Sequence, residues 1–193
     1  GWTGRLHRIV IDDRVDASGE DPLDPDTWTH SLFYDPQQPI IANPTVGVDK
    51  DGNFWVYFGT GRLLDTLDRE DTSDMSFYGI MEPRDYPPSR TGNPNYLGSM
   101  SSPGRTKTDL LNTTAVKVYE ARRATLSDVT NTGVAGVDSF NELEALFDYQ
   151  TAPPTYKGWY VDFLTGGERN LGRAALLGDV VTFTTYTPSS EIC

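Results

Sequence analysis

The chain has 193 residues, with 37% hydrophobic, 23% charged and 11% aromatic residues. That composition supports one domain with a buried core and excludes a disordered chain. The net charge of −12 excludes a nucleic-acid binder, because a phosphate backbone would be repelled.

No apolar run reaches the length of a membrane span, and the N-terminus lacks a signal-peptide pattern. The opening "GWTGRLHRIVID" reads as the middle of a polypeptide, so a processed product or an excised piece is expected. A lone cysteine, Cys193, forms no internal disulfide. A partner beyond the chain's end would explain it, and so would the absence of any role.

Taken in chain order, the apolar residues form short runs with a period near two, the pattern of half-buried strands. They run from Leu6 to Asp12, Thr29 to Tyr34, Thr45 to Val48, Phe54 to Phe58 and Ser76 to Met81. Further runs follow from Thr113 to Tyr119, Gly158 to Phe163, Ala174 to Leu177 and Val180 to Tyr186. The fold class is all-β and mostly antiparallel. Eighteen glycines and 13 prolines supply the turns and argue against long helices. One helix is expected from Asp138 to Phe147, with Asp138 or Ser139 as N-cap and Phe140, Leu143, Leu146 and Phe147 on one face. A weaker helix candidate is Asp65 to Asp74. Two segments, about 12–28 and 83–108, read as irregular surface loops. The first carries seven acids between Asp12 and Asp26, and the second is rich in Pro, Gly, Ser and Asn.

The stretch "VGVDKDGNFWVYFGTG" (46–61) poses a choice. Asp49, Asp51 and Asn53 alternate as calcium ligands do, but an EF-hand loop has a bidentate Glu at its twelfth position, whereas an aromatic strand intervenes here. A hairpin with Gly52 at positive φ fits better. Phe54, Trp55, Tyr57 and Phe58 put aromatics on both faces of one strand, which points to burial on both sides.

Catalytic signals are thin. His7 and His30 lie within predicted strands, where a strand-surface or core position explains them better than a base role. No nucleophile elbow, zinc motif or phosphate loop occurs, and Gly59-Thr60-Gly61 is too short for a nucleotide fingerprint. Asn112-Thr113-Thr114 matches a glycosylation sequon, a pattern common by chance. The acids at 65, 68, 70, 71 and 74 form a solvated cluster, with Arg62 and Arg69 available as partners.

Three blocks carry a family resemblance: "PTVGVDKDGNFWVYFGTGR", "DTSDMSFYGI" and "GWYVDF…GERN…GDVVTFTTYTPSSEIC". With the opening strand, which is similar to the form "GxLxRIDL", they resemble the C-terminal domain of the PilC/PilY family of type IV pilus tip proteins. The match spans most of residues 1–193 and is weakest from Pro83 to Pro103. The resemblance implies the last few blades of a modified β-propeller, secreted and exposed on the cell surface as part of the fimbrium. It implies a role in pilus assembly, in opposing retraction and in adhesion. The implied partners are the rest of the propeller, minor pilins and a host or surface ligand. The family's calcium loop would precede Gly1, so no calcium ligand carries over onto this chain. The family also continues past "TPSSEIC" with a further strand.

The primary reading is therefore a non-catalytic scaffold and binding surface, with no catalytic, cofactor or metal residue assigned. A quinoprotein-type oxidoreductase is one alternative, because "WVYFGTG" is similar to its blades. It would need a base and a calcium cage that this chain does not assemble. A lectin-like module using Tyr86 or Tyr96 is the other.

Overall fold

A computed structural model describes residues 3–11, 28–83, 104–119, 128–148, 154–178 and 180–189. Most of the two irregular loops, with Tyr86, Tyr96 and Cys193, lie outside the described residues.

The regular elements of the described chain are mostly strands. Strands β1 (Leu6–Val10) and β2 (Thr29–Tyr34) form an antiparallel ribbon. The next strands are β3 (Thr45–Val48), β4 (Phe54–Gly59) and β5 (Ser76–Met81). After them come β6 (Leu111–Asn112), β7 (Lys117–Val118) and β8 (Val129–Thr130). Helix α1 (Phe140–Ala145) precedes β9 (Gly158–Asp162), β10 (Ala175–Leu177) and β11 (Val180–Thr182). A five-stranded sheet has the order β3-β4-β5-β9-β6, antiparallel except for the β6–β9 pair. The β7–β8 and β10–β11 pairs are further antiparallel ribbons.

β5 is the centre of the molecule, and all six of its residues are buried. Its alternating side chains feed two cores. Tyr78 and Ile80 join Phe58 and pack on Phe33 and Tyr34 of the β1–β2 ribbon and on Leu110. Tyr78 stacks on Phe58 at 5.1 Å and meets Tyr34 at 5.2 Å between centroids. On the opposite face Phe77 packs with Met75, Phe163 and Ala174, and stacks on Phe183 at 3.8 Å. Trp55 and Met81 extend this second core beneath Phe147, just beyond α1. Fully burying one such side chain stabilises the fold by roughly 1.5–3 kcal/mol, so the two-sided strand is the main source of cohesion. On β4, Phe58 and Trp55 are buried on opposite faces, whereas Phe54 is 38% exposed and Tyr57 is only partly buried, so the expected burial of this strand on both sides holds only in part.

Local signals explain the shorter elements. Ser139 caps α1: its hydroxyl accepts from Glu142 N, and the Glu142 carboxylate accepts from Ser139 N at 3.0 Å. The segment from Asp65 to Asp74 forms a single 3-10 turn, Thr66–Arg69, rather than an α-helix. Asp65 and Asp68 bond the backbone amides at its start, which fixes a tight local turn. The run from Thr113 to Tyr119 is broken by a turn in which Asn112 Oδ1 accepts from Thr114 N and Thr113 O accepts from Val116 N. Only Lys117 and Val118 continue as strand.

Two charged groups fasten the periphery. Arg8 of β1 pairs with Glu82 at the end of β5, with both side chains nearly buried. Arg169 is only 1% exposed and donates to the carbonyls of Arg62, Asp68, Asp71 and Gly167. It thereby pins the β4–β5 connection to the segment before β10.

Candidate functional site: an aromatic groove with a carboxylate rim

The link between β3 and β4 is a hairpin. Asp49 O accepts from Gly52 N, Asp49 N donates to Asn53 O, and Gly52 takes φ +77°. The Asp49 carboxylate organises the tip. Oδ1 accepts from Asp51 N at 3.0 Å and Asn53 N at 2.8 Å. Oδ2 accepts from Asn53 Nδ2 and from Trp55 Nε1, both at 2.8 Å. Four N–H donors fill the lone pairs of this carboxylate, so its role here is to hold the tip and the Trp55 indole together.

This tip forms one wall of an open groove of ≈ 630 Å³. The floor is the aromatic face of the sheet, with Trp55 and Tyr57 from β4 and Trp159 from β9. Phe147 closes one end and meets Trp55 edge-on at 5.7 Å. Trp55 and Tyr57 are parallel within 3° at 6.1 Å, and Tyr57 lies 6.1 Å from Trp159. Phe140 of α1 and Val118 of β7 are exposed apolar groups at the margin.

The rim is acidic. Asp49, Asp51, Glu144 and Asp148 line the groove with Lys50 as the basic residue. Lys50 Nζ reaches from the hairpin tip to Glu144 Oε2 of α1 at 2.8 Å, and this contact raises the ammonium's pKa. Sequence reading placed these aromatics in the core. The groove itself was not legible, because Trp55 and Trp159 come together only through sheet pairing.

The other sequence candidates have structural surroundings. His7 and His30 are exposed neighbours on the β1–β2 ribbon, stacked at 4.9 Å, with His7 Nδ1 and His30 Nε2 2.9 Å apart. Asp68 pairs with Arg62. Hydrogen bonds from Leu64 N and Arg62 lower its pKa despite burial of the carboxyl group. The glycines of Gly59-Thr60-Gly61 allow close packing: a Cβ at 59 would lie 2.4 Å from Asn170, and one at 61 would lie 2.5 Å from Arg169. The exposed Asn112 of the sequon bonds its own turn. Among the described residues no group of three or more His, Cys, Asp or Glu side chains is arranged to hold a metal ion. No helix among them is long and apolar enough to cross a membrane.

Comparison with known proteins gives one informative relationship. Over 166 residues, 81% of this chain, the sequence is 26% identical to a type IV pilus biogenesis factor PilY1 homolog from Xylella fastidiosa. The chain is related to PilY1. It spans 10% of that protein's length. No family model and no solved structure matches the chain.

Proposed function

We propose that this chain is part of a type IV pilus-associated surface protein and acts there as a non-catalytic scaffold and binding surface in pilus biogenesis and adhesion. The observation that carries the reading is the similarity to a pilus biogenesis factor over 81% of the chain. The fold is compatible with it. Strands β3, β4, β5 and β9 make a four-stranded antiparallel unit of the size of one propeller blade, with β6 added at its edge. We read this unit as one blade of a larger propeller, with the surrounding ribbons as parts of its neighbours. Minor pilins and a host or abiotic surface are the partners this role calls for, and the outer face of the cell is its place.

The test is genetic. Residues 1–193 are deleted in frame from the gene in its own organism. Surface pili are then counted by electron microscopy, and pilus-dependent motility and attachment are scored. The reading expects fewer pili or lost attachment, restored by the intact gene. Unchanged piliation, motility and attachment would overturn it.

A further inference from the structure

The groove over the sheet offers two kinds of surface to one ligand. Its floor presents the indoles and phenol of Trp55, Tyr57 and Trp159, whose ring faces carry negative partial charge. Its rim carries the carboxylates of Asp51, Glu144 and Asp148 against the ammonium of Lys50, while Asp49, its lone pairs already taken by four N–H donors, adds charge alone. An anion would meet repulsion from both surfaces. A neutral apolar group would gain from the floor and nothing from the rim. A cation on an alkyl stem gains from both.

We propose that this groove receives a lysine or arginine side chain of a partner protein; this deepens the binding-surface reading above and rests on it. The rim already holds such a group, because the chain's own Lys50 ammonium sits 2.8 Å from Glu144 with 64% of its side chain exposed. That contact shows that the rim geometry accommodates an ammonium, and it identifies Glu144 as a carboxylate for which a guest would compete. The hairpin wall is preorganised by the four bonds to Asp49, so binding requires little ordering of the tip. Exposed Val118 and Phe140 give the aliphatic stem an apolar margin. The net charge of −12 draws a basic partner toward this surface.

The full-length protein is titrated calorimetrically with the capped peptide Gly-Ser-Lys-Ser-Gly. Its norleucine and glutamate counterparts and a neutral oligosaccharide serve as competitors. The lysine peptide is expected to bind about fivefold tighter than the norleucine peptide, the glutamate peptide not at all, and binding weakens with salt. Glu144→Gln, at the half-buried groove edge of α1, is expected to weaken lysine binding about threefold. Lys50→Gln removes the internal competitor and strengthens it. Circular dichroism confirms that both variants fold. Equal binding of lysine and norleucine, tighter binding of the oligosaccharide, or no saturable binding at lysine-peptide concentrations on the order of millimolar would each overturn the proposal. A piliation defect without lysine binding removes this inference and leaves the pilus role. Lysine binding without a piliation defect does the reverse.

Discussion

Trp159 lies across Gly79, its antiparallel partner on β5, so that a Cβ at position 79 would come within 2.5 Å of the indole Cε2. Tyr57 is paired with the same glycine from the other side. The missing side chain lets the two aromatics close to 6.1 Å above the central strand, and that closure makes the floor of the groove. Gly79→Ala is therefore expected to displace the indole and destabilise the fold by about 1–3 kcal/mol. Urea unfolding measures the loss, and the near-ultraviolet circular dichroism of Trp159 should change with it. An unaltered midpoint and spectrum would show that the contact is slack.

Asp49→Ala strands the donors that converge on its carboxylate, among them the side chain of the 3% exposed Asn53 and the indole N–H of the 7% exposed Trp55. The expected cost is about 1–3 kcal/mol, because buried donors without acceptors keep their desolvation penalty. Calcium provides the control. If Asp49 is a turn residue, added calcium leaves the thermal midpoint of the wild type and of the variant equally unchanged. A calcium-dependent rise that disappears in Asp49→Ala would assign the stretch to a cation site instead.

Arg169 provides a third test. Its guanidinium satisfies carbonyls from residues 62, 68 and 71, about a hundred positions earlier in the chain. Lysine at this position cannot reproduce the planar fork. Arg169→Lys is expected to cost roughly 3 kcal/mol or more by leaving buried carbonyls unpaired. Proteolysis should then cut first in the β4–β5 connection. A variant with wild-type stability and an uncut connection would show that water replaces the fork.

These residues also mark how far the sequence could be read. Thr29 to Tyr34, Thr45 to Val48 and Ser76 to Met81 were legible to the residue, because β-branched and aromatic alternation is a local signal. The start of α1 was legible too, because Ser139 is itself the capping residue. β6 and β8 were not, because two-residue strands carry no period and owe their pairing to the sheet beside them. Nothing local in the sequence marks Arg169 as a side chain that bonds carbonyls about a hundred residues away. The groove has the same origin. Each aromatic was visible, but the register that assembles Tyr57, Gly79 and Trp159 is a tertiary fact.

Acid should unfold the protein through a small set of carboxylates. The pKa of Asp68 is lowered chiefly by the Leu64 amide, that of Asp65 by the Leu67 amide, that of Asp71 by Ser73 and that of Glu142 by the Asp138 amide. A lowered folded-state pKa means that the stabilisation is present above the ordinary carboxylate value of about 4 and is lost as pH falls through the folded values. Glu82 works in the opposite sense. Burial raises its pKa, with Arg8 only partly offsetting this. The folded state therefore holds that proton more tightly than the unfolded chain, and its contribution, present below the ordinary glutamate value, is lost as pH rises through the folded value. The thermal midpoint of the wild type should thus fall steeply below about pH 4 and flatten or decline slightly above it. Glu82→Gln removes the titration on the upper side, so above the ordinary glutamate value its midpoint should hold better than that of the wild type while the acid limb stays unchanged. Parallel curves for the two proteins across both limbs would show that Glu82 titrates like an exposed carboxylate.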